Sequence, residues 1–106
     1  MISLAIATAL AAAQASGPAL LPRKNYGACL NKFMKAKVSE KLDEAGFRSG
    51  AKTACAAEEA AFRDSLIAFD LKMKIKRAEA EDNASTQVED YLVNAVENYQ
   101  AHVGGE

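Results

Sequence analysis

Tryptophan is absent from this 106-residue chain, aromatic residues make up only 7% of it, and a single histidine stands at position 102. With so few bulky rings, and with alanine supplying much of its apolar half, the chain is poorly suited to filling a sheet sandwich; a thin helical core is expected. One histidine and two cysteines leave no material for a structural zinc site, a haem attachment sequence or a C-x-x-C redox pair. A glycine-rich phosphate loop is also missing, so most catalytic constellations cannot be built and no cofactor is implied. Excess charge of one sign is lacking as well: the formal net charge is −1, which argues against a dedicated nucleic-acid binder. The length allows one small domain and no second core.

The one long apolar run lies at the start. Residues 1–15, MISLAIATALAAAQA, contain no charged side chain and end in Ala13-Gln14-Ala15, the small-x-small pattern of a secretory cleavage site. A spanning helix needs about 20 apolar residues, and this run gives way to Gly17, Pro18, Pro22, Arg23 and Lys24. A signal peptide cleaved after Ala15 is expected, leaving no transmembrane segment and an exported protein, periplasmic or extracellular. An extended segment over 16–24, one helical domain over 25–103 and a tail over 104–106 complete the expected layout.

In an oxidising compartment two thiols in a small domain usually pair, so a Cys29–Cys55 disulfide is expected. In an antiparallel helical hairpin, that link centres the turn near residue 42. Asp43 can then cap the following helix, with Glu44 in its first turn and Leu42 positioned to staple onto Phe47. A rival turn at Gly46–Gly50 would leave the two cysteines roughly 18 Å apart along the helix, at 1.5 Å per residue, beyond disulfide reach. Gly46 and Gly50 are therefore read as helical, forming with Ala54 a small-residue stripe that lets the first helix approach.

Periodicity predicts three helices. The first, Asn25 to Val38, places Tyr26, Cys29, Leu30, Phe33, Met34 and Val38 on one face. The second runs from Glu44 to at least Ile75, carrying Phe47, Ala51, Cys55, Phe62, Leu66, Phe69 and Met73 inward, so that Met34 and Met73 read as core filler. The third carries Ala84, Val88, Tyr91, Leu92, Ala95, Val96, Tyr99 and Val103. The second break is expected between 74 and 86, because Asp82-Asn83-Ala84-Ser85 is helix-averse and Thr86-x-x-Glu89 is a capping box. A continuous helix over 44–103 would instead expose apolar stripes and require a partner chain, for which a homodimer is one arrangement. The expected fold class is all-α: a disulfide-stapled antiparallel hairpin plus a third amphipathic helix.

Tyr26-Gly27-Ala28-Cys29, the Ala54–Arg63 stretch beginning Ala54-Cys55-Ala56-Ala57-Glu58-Glu59, and Glu89-Asp90-Tyr91 resemble small exported bacterial proteins of unknown function. These are alanine-rich helical chains with two paired cysteines. The resemblance implies a helical, disulfide-stapled fold and transfers no activity.

Charge is segregated along the chain. All thirteen Lys and Arg lie within 23–77 against seven acids, a net +6, whereas 78–106 holds seven acids and no Lys or Arg, a net −7. One account is mutual attraction between an acidic third helix and the basic segments. The sharper account is an anion-seeking surface that includes Lys32, Lys35, Lys72, Lys74, Lys76 and Arg77, with an envelope protein, polymer or anionic lipid surface as partner. The expected role is a non-enzymatic binding module of the bacterial envelope. The alternative is an envelope-stress or divalent-cation-responsive protein using acids of the third helix. Glu58 and Glu59 read as a helix face, Glu59 being placed to pair with Arg63 or a helix-1 lysine, and His102 as a favourable charge at a helix C-terminus. No metal centre is expected.

Overall fold

The computed structural model describes residues 19–104, which are almost wholly helical and contain no strand. The expected signal peptide and its cleavage site lie outside the described residues. Four helices are present among the described residues: α1 (Leu20–Lys37), α2 (Glu44–Ala54), α3 (Ala56–Lys72) and α4 (Arg77–Gly104), with a 3₁₀ turn at Val38–Glu40. The segment expected to be extended is helical from Leu20 onward. Pro22 does not prevent this, because first-turn N–H groups have no partner inside a helix and proline's fixed φ suits the position.

Cys29 and Cys55 form a disulfide with Cα atoms 5.9 Å apart. The chain turns between α1 and α2 at 38–43, close to the expected centre. Lys41 there adopts a left-handed conformation (φ 50°), and the Asp43 side chain caps α2 by accepting the Gly46 N–H at 2.7 Å. Gly46 and Gly50 are both helical. At Gly50 the missing side chain matters: a Cβ would lie 2.6 Å from the Phe33 ring, so glycine is what lets α1 come this close.

The expected second helix is two. At Cys55 the backbone departs from helical geometry (φ −110°, ψ 23°), although Cys55 N–H still reaches the Ala51 carbonyl and Glu59 N–H the Cys55 carbonyl, each at 2.9 Å. The bend coincides with the crosslink and has no glycine or proline to announce it. The next break, over 73–76, falls at the near edge of the expected window. There Lys74 sits in the left-handed region (φ 66°). Ile75 N–H bonds the Asp70 carbonyl and Lys74 N–H the Leu71 carbonyl, both at 3.0 Å. These two bonds complete a Schellman cap, a motif that glycine usually occupies; a lysine in its place hid the stop.

The helix-averse run 82–85 is interior to α4. Burial of Ala80, Ala84 and Val88 outweighs the weak local preference. Two polar members of the run turn to α3, Asn83 donating to the Asp70 carboxylate at 3.2 Å and Ser85 accepting from Arg63 at 2.7 Å. With 28 residues, α4 is about 42 Å long and packs against each of the other helices.

Two groups of rings occupy the core. Phe33, Phe47 and Tyr99 form one, Phe47 stacking on Tyr99 with centroids 4.4 Å apart. Tyr26, Phe62 and Tyr91 form the other, with centroids 5.3 to 5.9 Å apart, and the Arg23 guanidinium lies over Phe62 at 5.1 Å. Beyond Phe62 the apolar face of α3 loses its cover: exposure is 0% at Phe62, 4% at Leu66, 42% at Phe69 and 60% at Met73. Phe69 and Met73, expected in the core, are thus surface residues: among the described residues, α1 supplies no third layer at their level.

Candidate anion-binding surface

The six cationic side chains singled out from the sequence are all exposed, but the fold divides them into two groups. Tyr26 lies against Phe62 and Cys29 is bonded to Cys55, so α1 runs antiparallel to the α2–α3 arm. In that register Lys72 lies level with a point about 16 residues before Lys32 on the α1 axis, about 24 Å away. Lys32 and Lys35 therefore form one patch, and Lys72, Lys74, Lys76 and Arg77 another, at the opposite end of the bundle.

Lys32 borders an open groove of about 620 Å³ beside the disulfide, lined also by Cys29, Phe33 and Glu58. The second group is placed by the Schellman cap. Lys72 ends α3, Lys74 occupies the left-handed position, Lys76 supplies the carbonyl that receives the Ala80 N–H at 2.8 Å, and Arg77 opens α4. Backbone bonds hold this corner, leaving the lysine side chains to solvent.

Ion pairing uses few of these charges. Arg77 contacts Glu81 on its own helix at 3.6 Å, whereas Lys32, Lys35, Lys72, Lys74 and Lys76 make no ion pair among the described residues. The one bridge there that ties the basic segments to the acidic helix is Arg48 to Glu89, with Arg48 Nη2 donating to both carboxylate oxygens at 2.8 and 3.0 Å. Direct pairing with α4 therefore does not consume the segregated charge. Glu59 pairs with Arg63 at 3.1 Å, as its spacing suggested. His102 sits in the last turn of α4 with Nδ1 3.0 Å from the Asn98 carbonyl oxygen. No three His, Cys, Asp or Glu side chains gather to hold a metal ion among the described residues, so the acids of α4 form no cation cage there.

Two tyrosines have roles that the apolar pattern could not reveal. Tyr99, fully buried, donates to the Lys37 carbonyl at 2.6 Å and accepts the Leu42 N–H at 2.8 Å. It thereby satisfies both sides of the turn between α1 and α2. Burial pushes the Tyr26 phenol up to about 12, with the nearby Glu59 carboxylate adding to the effect; Tyr26 stays neutral and structural at ordinary pH. Periodicity marks both residues as core and is silent on where a hydroxyl points.

No family model, no curated protein and no solved structure matches this chain. No helix among the described residues is long and apolar enough to cross a membrane.

Proposed function

We propose that the protein is an exported, non-enzymatic helical module of the bacterial envelope that binds an anionic partner through its exposed lysines. The observation that carries this reading is that Lys32, Lys35, Lys72, Lys74 and Lys76 are exposed and make no ion pair among the described residues. These ammonium groups have no ion pair to give up on meeting an anionic surface, and the positive charge of each patch speeds encounter. The disulfide is compatible with an oxidising compartment. A stapled bundle also suits a binding module, because it presents its charges in a fixed arrangement.

The test is binding of the purified protein to dextran sulfate across a salt series. Binding is expected to weaken steadily as the screening length falls to about 8 Å at physiological ionic strength and below that at higher salt. The variant Lys72→Glu/Lys74→Glu/Lys76→Glu is expected to bind markedly less at unchanged helicity. Salt-independent binding, or none, would overturn the reading. So would unfolding of the triple variant, which would make the charges part of the bundle's own stability.

A further inference from the structure

Among the described residues, five of the six large apolar side chains that are notably exposed lie at one end of the molecule. Leu20 (39%) and Leu21 (66%) open α1; Phe69 (42%), Leu71 (36%) and Met73 (60%) close α3. The antiparallel register places the start of α1 level with about Leu66 and Ile67, so that Phe69, Leu71 and Met73 project just past it, and α4 starts beside them, with Asn83 bonded to Asp70. The same end carries Lys24, Lys72, Lys74 and Lys76, all exposed, and Arg77. Of the acids nearby, Asp70 is engaged by Asn83 and Glu81 by Arg77, leaving Asp64, which lines a groove with Leu71 and Arg77, and Glu79 and Asp82 on the first turns of α4.

We infer that this end is a docking tip for an anionic lipid bilayer, with Phe69 and Met73 entering the acyl boundary while Lys72, Lys74 and Lys76 engage lipid phosphates. The inference rests on the anion-binding reading and names the partner's class. Charge complementarity selects that occupant: residues 72–77 carry four cations and no acid, so a second copy of this corner would set lysine against lysine, whereas an anionic leaflet offers hydrocarbon below and negative charge above. Chemistry and spacing agree. Phe69 and Met73, four residues apart, share one helix face, and the flanking lysines have apolar stems long enough to keep their ammonium groups at the headgroups while the apolar side chains go deeper. The Schellman cap fixes this corner in the unbound protein, so docking requires little ordering.

Cosedimentation with phosphatidylglycerol/phosphatidylcholine vesicles, against phosphatidylcholine alone, tests the proposal. Partition into the anionic vesicles only is expected. Phe69→Ser/Met73→Ser is expected to weaken it about tenfold or more, given the worth of burying two large apolar side chains, at unchanged circular dichroism. Because the chain has no tryptophan, Phe69→Trp supplies a single reporter, whose emission is expected to shift to the blue on anionic vesicles. If the double variant partitions like wild type and the Phe69→Trp reporter shows no shift, the lipid tip is overturned while binding through lysines stands. If dextran sulfate is bound and anionic vesicles are not, the tip again falls alone; if neither is bound, both proposals fall. A concentration-dependent dimer in sedimentation equilibrium that Phe69→Ser/Met73→Ser dissociates would assign the apolar end to a second copy and overturn the lipid reading.

Discussion

The two ends of this bundle are built from different materials. At the end where α1 turns into α2, Phe33, Phe47 and Tyr99 interlock, the disulfide lies nearby, and Tyr99 bonds both sides of the turn. Along α4 the buried positions shrink toward the other end, from Tyr99 through Val96, Leu92 and Val88 to Ala84 and Ala80. At that far end the core is alanine, and the large apolar side chains of α3 face outward. Stability is concentrated where the chain is clasped, and surface chemistry is concentrated where it is not. One small core can serve both needs because α4 runs the full length and couples them.

The largest expected difference comes from the staple. The bridge spans 26 residues, and loop-closure entropy assigns it about 3 to 4 kcal/mol; reduction should lower the denaturation midpoint accordingly, while reduced protein at equal stability would remove the contrast between the ends. High pH probes the middle of the core. Folding raises the Tyr26 pKa from 10.0 to about 12, so the folded state holds its proton more tightly. Stability from this group is complete below pH 10.0 and is lost as pH rises toward about 12, a loss of about 2 to 3 kcal/mol. Denaturant titrations between these pH values should show that slope in the wild type and a shallower one in Tyr26→Phe.

Tyr99→Phe should cost about 2 kcal/mol, since a buried hydroxyl with two backbone partners is removed and both partners are left short; chemical denaturation measures it. At the open end the changes should be smaller, and one should have the opposite sign. Lys74→Gly relieves a left-handed residue and should stabilise by about 1 kcal/mol. Phe69→Ser, at a side chain already 42% exposed, should cost about 1 to 1.5 kcal/mol, well below the roughly 3 to 5 kcal/mol typical of emptying a buried aromatic site. A large loss from Phe69→Ser would mean that the far end is core and would erase the comparison.

The contrast was partly legible in the sequence. Pairing of Cys29 with Cys55 followed from compartment and count, and it located the turn that Asp43 caps. What escaped were features that side-chain identity does not encode. Lysine stands in the left-handed position at Lys74, the bend at Cys55 has no breaker residue, and 82–85 is helical because Ala84 within it is buried between Ala80 and Val88. Periodicity placed Phe69 and Met73 correctly on the α3 stripe, but a stripe does not say where its cover ends. The six candidate cations are all exposed, as charged residues usually are, yet their separation into two patches depended on the register of helices that only the tertiary structure supplies.

Hydrogen–deuterium exchange with and without phosphatidylglycerol vesicles tests most directly whether the open end is the working surface. Added protection is expected at the first turn of α1 and over 69–77, with the clasped end unchanged. Protection centred instead on the groove beside the disulfide, or spread evenly along α4, would contradict the account.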